Sequence, residues 1–464
     1  LQKYQKQVEA VSMSKIKLSP GVHKVIGVMT GNSLDAVDVG LFEVQIKQAT
    51  SGNGQTSVVG FREIGFHSVE IGSELRLLIG QVRDSIKIGN GHVPNDRRGS
   101  FEKVAVQYHT ALLDAINDAI DKFGCRTDVK LVGVHGQTLA HCPPSAGNGS
   151  AYAVQLGNGA FLSRGLGLSV VSDFRSDDIL NGGEGAPFAP VFNSLLLPSI
   201  QLERAFFVNA GNTSNISKVE IGQAPQGFDC GPCNHFVDQL VREETGQAFD
   251  LNGEIAAQGM IIPGGLVTLW RTAVVTATGK NGLALNPPRS FDPQWYRLPE
   301  ELQSRSGHSL PDRLRTVIAF SALCIANGIA FIGQSWPGKV ILFGGGWRNK
   351  TFFKELMAIC DGKAAYVHDV LGEIGVSNAI SSLNLSDKIF LARDIGLPDQ
   401  GMEAGIFAFA AVQRVLDLPF STPALTGCKA PTKCGLVFTP DSSNQSIPEP
   451  WLSRAAPANQ AAIS

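Results

Sequence analysis

The chain has 464 residues, 43% of them hydrophobic and 17% charged, with a formal net charge of −2. That length exceeds one ordinary core, so two domains are expected. The mixed charge lacks the basic stripe of a nucleic-acid binder, and no apolar run reads as long enough to span a bilayer. Residues 1–20 are polar and mixed in charge, without the apolar stretch of a secretory signal, so they read as an N-terminal extension of a cytosolic protein. The eight cysteines fall at irregular spacings (125, 142, 230, 233, 324, 360, 428 and 434), which favours free buried thiols over a disulfide framework.

In chain order, residues 25–29 read as a strand, Thr30-Gly31-Asn32-Ser33 as a turn, and residues 37–44 as a returning strand. A helix over 101–123 turns Val104, Val106, Leu112, Leu113 and Ile116 to one side. A buried strand at 130–134 leads into His135-Gly136-Gln137-Thr138, and a strand at 168–172 ends in Asp173-Phe174-Arg175. Residues 205–209 and 216–221 then flank a second glycine turn, Ala210-Gly211-Asn212-Thr213-Ser214-Asn215. Two hairpins of one design, one opening each half, are most simply explained by duplication. Residues 310–332 form a long apolar helix, and the strand at 338–343 closes on Gly344-Gly345-Gly346, with Asn349 starting another helix. Residues 403–416 are an Ala- and Phe-rich helix dry enough to be internal, and the Ser/Pro/Ala/Asn-rich stretch 438–464 reads as a disordered tail. The expected organisation is a first domain over 21–165, completed by a C-terminal helix at about 403–437, and a second over 166–402. Strands bearing function at their ends and separated by helices give α/β domains, with ligands beside strand termini in a cleft between them.

The hairpin at 31–38 (Gly31, Asn32, Ser33, Leu34, Asp35, Ala36, Val37, Asp38) lets backbone N–H groups approach a phosphate, and Asp35 or Asp38 can hold Mg2+ through water. An ordinary polar hairpin has the same composition; a second one at Gly211 and Asn212 favours a pair of phosphate loops. Gly344, Gly345 and Gly346, with Asn349, suit an adenosine ring laid on backbone, although a plain loop would look alike. Asp229, in Phe228-Asp229-Cys230-Gly231-Pro232-Cys233, is the strongest candidate for the carboxylate that kinase chemistry needs, against the alternative of a turn or capping aspartate. Cys230 and Cys233 also permit a redox or zinc reading, ranked below coincidence. His135, Gln155, Arg175 and Asp178 have the donors and acceptors that sugars take, or else form buried salt bridges.

Taken in order, these motifs resemble the anhydro-N-acetylmuramic acid kinase family, which includes fungal levoglucosan kinases, within the actin/hexokinase superfamily. The resemblance runs from about residue 25 to 440. It covers Gly-Asn-Ser-Leu-Asp-Ala-Val-Asp (31–38), His-Gly-Gln-Thr (135–138), Asp-Phe-Arg (173–175) with Asp178, and Gly-Gly-Glu-Gly-Ala-Pro (182–187). It continues through Phe-Asp-x-Gly-Pro (228–232), Phe-Asp-x-x-Gly (249–253), Pro-Pro-Arg-Ser (287–290), Gly-Gly-Gly (344–346), Met-Glu-Ala (402–404) and Thr-Gly (426–427).

The resemblance implies a two-lobed, duplicated ribonuclease H-like fold with a nucleotide cleft, and an enzyme using ATP and Mg2+ on a small anhydro sugar. Water opens the 1,6-anhydro bridge as O6 is phosphorylated. Asp229 would be the general base, residues 31–38 would hold the ATP phosphates, and Arg175 and Glu403 would lie at the sugar; a homodimer is the implied assembly. The chain departs from the family at Asn32 for threonine, Asn212 for glycine, Cys230 and Cys233 for threonine and glycine, and Glu184 for glutamine. Phe291-Asp292-Pro293-Gln294 replaces a Gly-Arg-Glu. Asparagine tolerates the left-handed backbone of a turn. A catalytically weakened relative, binding nucleotide or sugar as a sensor or scaffold, is the second reading.

Overall fold

The computed structural model describes residues 16, 18–31, 34–48, 56–88, 93, 95–146, 151–276, 278–333, 338–367, 370, 385–398 and 400–441. Asn32 and Ser33, most of the N-terminal extension and the tail beyond residue 441 lie outside the described residues. The chain divides into two compact units, unit 1 being Leu1–Ser199 with Gly401–Ser464 and unit 2 being Ile200–Gln400.

Unit 1 is built on one sheet. Strands β1 (Gly21–Thr30), β2 (Ala36–Gln48) and β3 (Thr56–Glu70) form an antiparallel meander. Two further strands, β4 (Val129–Val134) and β7 (Ser169–Ser172), lie parallel to β1. Helices α1 (Ser73–Ile88) and α2 (Arg98–Phe123) bridge from β3 to β4. The short hairpin β5 (Gln137–Cys142) and β6 (Tyr152–Leu156), then α3 (Gly159–Leu166), connect β4 to β7. The pairing of β7 with β4 is why the expected boundary after residue 165 moves to 199. Helices α4 (Phe174–Leu180) and α5 (Ala189–Leu196) follow β7 within the same unit.

The return of the chain at residue 401 supplies α10 (Met402–Val415) and β13 (Leu436–Phe438), the latter antiparallel to β7. Phe438, assigned by composition to the tail, is therefore the last residue of a strand. Hydrogen bonding to β7 outweighs the polar composition that follows it.

Unit 2 repeats the plan. Strands β8 (Arg204–Ala210), β9 (Thr213–Glu220) and β10 (Gln226–Pro232) form the meander, and β11 (Lys339–Phe343) and β12 (Ile389–Leu391) add in parallel. The sheet orders are β13-β7-β4-β1-β2-β3 and β10-β9-β8-β11-β12, so the same five-strand order appears in each unit. Helices α6 (Asn234–Thr245), α7 (Pro263–Thr272), α8 (Leu310–Ile332) and α9 (Lys350–Cys360) complete unit 2.

Among the described residues α8 is the one helix long and apolar enough to cross a membrane by length and composition, which corrects the expectation that no such run exists. Its apolar window is 78% buried, because it packs on β9, β10, α6, α7 and α9. In α2 the buried positions are Phe101, Val104, Ala105, Tyr108, His109, Leu112, Ala115, Ile116, Ala119 and Ile120, while Val106 is exposed. Position 106 falls off the stripe that the 3.6-residue period defines.

Candidate active site

Unit 1 gathers the polar residues expected at a sugar. His135 follows β4 and is buried against Phe407 of α10, with ring centroids 4.4 Å apart. Arg175, in the first turn of α4, donates from Nε to His135 Nε2 at 3.2 Å and from its terminal nitrogen to the Gly185 carbonyl at 2.8 Å. An arginine only donates, so His135 Nε2 is the acceptor and the ring carries its proton on Nδ1. Burial first, and the Arg175 charge second, hold His135 well below the usual histidine range, so the ring stays neutral. The same two causes pull His141 down to about 3.

Gln155 on β6 places its Nε2 at 3.0 Å from His135 Nε2 and 3.1 Å from the His135 carbonyl. Its Oε1 and that of Gln137, both buried, have no hydrogen-bond partner among the described residues. Buried acceptors of this kind are costly unless a donor arrives. A sugar hydroxyl is such a donor.

Asp178, expected at the sugar, has partners within the chain. It is fully buried; Oδ2 accepts the Gly185 N–H at 2.7 Å and Oδ1 accepts the Thr426 hydroxyl at 2.7 Å. Gly183 lies so close that a Cβ there would run into the Asp178 carboxylate. Asp178 thus shapes the 182–187 loop whose Gly185 carbonyl receives Arg175. Glu184, on the same loop, accepts from the Ser145 hydroxyl at 2.6 Å and the Ser145 N–H at 3.1 Å. Glu403 is half-buried in the first turn of α10.

The first hairpin turns at Leu34, which has φ of 57° and donates its N–H to the Gly31 carbonyl at 3.1 Å. A buried leucine in the left-handed region is unusual and is a feature of functional turns. Asp35 is exposed and Asp38 half-buried, with Asp38 Oδ1 accepting from Ser68 at 2.6 Å. Burial raises the Asp38 carboxyl, the Ser68 hydrogen bond pulls it back, and the charge of Asp35 raises it again. Two carboxylates that feel each other suit a hydrated divalent cation.

Unit 2 assembles the second hairpin, the glycine triplet and Asp229. The β8–β9 turn is the two residues Gly211 and Asn212, and neither takes a positive φ. Their carbonyls accept the first N–H groups of α6, Asn234 to Gly211 at 3.1 Å and His235 to Asn212 at 3.3 Å. Asn212 also places Oδ1 3.3 Å from His235 Nδ1, a contact that glycine could not make. Gly344, with φ of 97°, lies against Asn209 and Ala210 at the end of β8, and a Cβ on Gly346 would lie 3.0 Å from Asn234 Oδ1. The glycine triplet, the hairpin turn and the start of α6 therefore meet. Asn349 is engaged as the cap of α9, its Oδ1 accepting the Phe352 N–H at 3.0 Å.

Asp229 lies on β10 beside a bulge, where the register with β9 shifts between Asp229 and Gly231. Its carboxylate is buried (8% exposed), and Oδ2 accepts the Phe291 N–H at 2.8 Å. Cys230 and Cys233 are buried, and burial pushes the Cys230 thiol up to about 12. A thiol so held is a poor nucleophile and a poor ligand. All eight cysteines are free and buried, and no metal-holding group of three His, Cys, Asp or Glu occurs among the described residues.

Arg289 contacts Asp229 through backbone and side chain, and residue patterning gave it no role. The Pro287-Pro288-Arg289-Ser290 motif was the available signal, but its partner lies 60 positions away.

A duplicated sheet of one strand order, with a glycine-bearing hairpin at the same place in each copy, is the ribonuclease H-like architecture of the actin/hexokinase superfamily. The family model for anhydro-N-acetylmuramic acid kinase matches residues 23–440, and the chain belongs to that family. It is accordingly an anhydro-sugar kinase by family, a phosphotransferase with an alcohol group as acceptor. A relative from Methylorubrum extorquens, named anhydro-N-acetylmuramic acid kinase, is 30% identical over 90% of this chain and 99% of its own. One of the same name from Bordetella parapertussis is 32% identical over 70% of this chain and 77% of its own. Among solved structures, a ROK hexokinase from Thermus thermophilus is similar at 16% identity and a TM-score of 0.33, covering 85% of this chain and 99% of that one.

Proposed function

We propose that the enzyme uses ATP to phosphorylate O6 of a 1,6-anhydro sugar while water opens the anhydro bridge, with Asp229 as general base. In this reaction the water oxygen bonds to the anomeric carbon and the C1–O6 bond breaks. The freed O6 takes the γ-phosphoryl group as ADP leaves, and the water's proton passes to Asp229. The observation that carries the reading is the holding of Asp229, a buried carboxylate with Oδ2 fixed by the Phe291 N–H at a strand bulge. A base held in one orientation is what water activation requires.

Other residues take supporting roles. Within its own unit, each glycine turn, at Gly31 and at Gly211, would offer backbone to a phosphate, and the 344–346 triplet would offer backbone to the nucleotide. Asp35 and Asp38 would hold Mg2+, which screens phosphate charge when bound. His135, Gln155 and Arg175 would take sugar hydroxyls, with Glu403 beside them; the unmet Gln155 acceptor matches a hydroxyl donor. The cytosol, where ATP is available and thiols stay reduced, is the compartment that fits.

The test is turnover with ATP-Mg and either 1,6-anhydro-N-acetylmuramic acid or levoglucosan in 18O-labelled water. A sugar 6-phosphate carrying label at C1 is expected from at least one. Asp229→Asn should lower kcat by about 10²–10⁴-fold while ATP affinity by calorimetry is unchanged. Folded protein that binds sugar or nucleotide yet forms no 6-phosphate from either sugar would instead establish the sensor or scaffold reading.

A further inference from the structure

We propose that Arg289 is a positioning residue that acts through Asp229, an inference that rests on Asp229 being the base. Arg289 is 5% exposed, and no ion pair to a carboxylate is formed by it among the described residues. Burying a guanidinium is costly, and the Asp229 charge acts on this one without a direct ion pair, so its hydrogen bonds define what it contributes. Its Nε donates to the Asp229 carbonyl at 3.0 Å, and one terminal nitrogen donates to the carbonyls of Leu283 at 2.8 Å and Leu285 at 2.7 Å. Its own carbonyl accepts the Asp229 N–H at 3.2 Å. The guanidinium lies 5.1 Å from the Phe228 ring centre and 5.3 Å from that of Phe291.

The location explains the arrangement. Strand β10 is at the edge of its sheet, and the bulge at Cys230 interrupts its ladder with β9. An edge strand at a bulge has backbone groups that no neighbouring strand satisfies. Arg289 satisfies both the N–H and the carbonyl of Asp229, the one through backbone and the other through side chain. Two residues further on, the Phe291 N–H holds the carboxylate itself. Residues 289–291 therefore fix the backbone and side chain of Asp229 together, and Arg289 anchors that segment to Leu283 and Leu285. A shift of about 1 Å in a catalytic group costs on the order of 10²-fold in rate.

The test compares wild type, Arg289→Lys, Arg289→Met, Asp229→Asn and Asp229→Asn/Arg289→Lys in full-length protein. Turnover, KM for ATP and for sugar, calorimetric ATP affinity and melting temperature are measured. Arg289→Met should lower kcat about 100-fold with both KM values and ATP affinity near wild type. Arg289→Lys, which keeps a donor for one carbonyl, should recover part of that loss. In the Asp229→Asn background Arg289→Lys should cost nothing further, because its effect runs through the missing carboxylate. Should Arg289→Met not fold, the two lysine variants carry the test alone.

Wild-type kcat in the arginine variants, with Asp229→Asn inactive, overturns the positioning role and leaves the base intact. Loss of ATP affinity in step with kcat, or a further loss in the double variant, also overturns it in favour of a general structural role. Full turnover by Asp229→Asn removes the base assignment and this proposal with it.

Discussion

Glycine serves two different ends in unit 2, and the difference can be measured. At Gly344, φ is 97° and a Cβ would run into the side-chain oxygen of Asn209, so the fold itself demands glycine. A Cβ on Gly211 would meet nothing nearer than 3.6 Å, one on Gly345 would meet nothing within 4 Å, and neither residue has a positive φ. On the proposed reading, glycine there serves close approach of a ligand to backbone. Gly211→Ala should therefore leave stability within about 1 kcal/mol of wild type and weaken ATP binding at least tenfold by calorimetry. Gly344→Ala should instead lose about 1–3 kcal/mol in denaturant unfolding. Wild-type ATP affinity in Gly211→Ala would count against a phosphate loop at 211–212. Residue types made this loop visible in the sequence. Whether each glycine was needed by the chain or by a ligand depended on neighbours such as Asn209, which only the packed sheet supplies.

At the scale of elements, unit 1 depends on how closely α10 approaches its sheet. A Cβ on Gly27 of β1 would strike the Ala404 carbonyl, and one on Gly133 of β4 would strike the Phe407 carbonyl. The helix lies on two glycines one strand apart, paired in register. Gly133→Ala should cost about 3 kcal/mol through overpacking, read as a lower midpoint in urea. An unchanged midpoint would mean that the helix shifts freely. Glu63 on β3 abuts Gly401 at the start of α10, and burial pushes its carboxyl up to about 7 from 4.5. The folded state then holds a proton that the unfolded state releases, so stability falls as pH rises from 4.5 to about 7. Glu63→Gln should melt higher than wild type at pH 8 and about equally at pH 4. Equal melting at both would show that Glu63 is ionised in the folded protein. The Ala- and Phe-rich composition marked α10 as internal, but its seat on Gly27 and Gly133 joins segments some 270 to 380 positions apart, beyond any local pattern.

For the whole chain, the repeated strand order assigns each unit its own core. Unit 2 is continuous, whereas unit 1 closes only when the C-terminal segment returns. Removal of residues 401–464 takes away the helix packed on β1, β2 and β4 and the strand paired with β7. Residues 200–400 alone should fold cooperatively, with a sharp thermal transition, and residues 1–199 alone should not. A cooperative transition in the 1–199 fragment would show that α10 is dispensable to that core.

The sequence alone determined the chemistry that depends on residue type and short spacing. The two glycine hairpins, the triplet at 344–346, the buried strand before His135 and the candidate base Asp229 all rest on local conformational preference and hydrophobic period, which act within a few residues. Tertiary structure decided what each polar group does once buried. It tied Asp178 to Gly185 and Thr426, made Asn349 a helix cap, kept His135 neutral beside Arg175, and set Arg289 behind Asp229. A buried donor or acceptor must find a partner wherever the fold offers one. Those partners are chosen by packing across tens or hundreds of residues, a distance over which sequence pattern carries no signal.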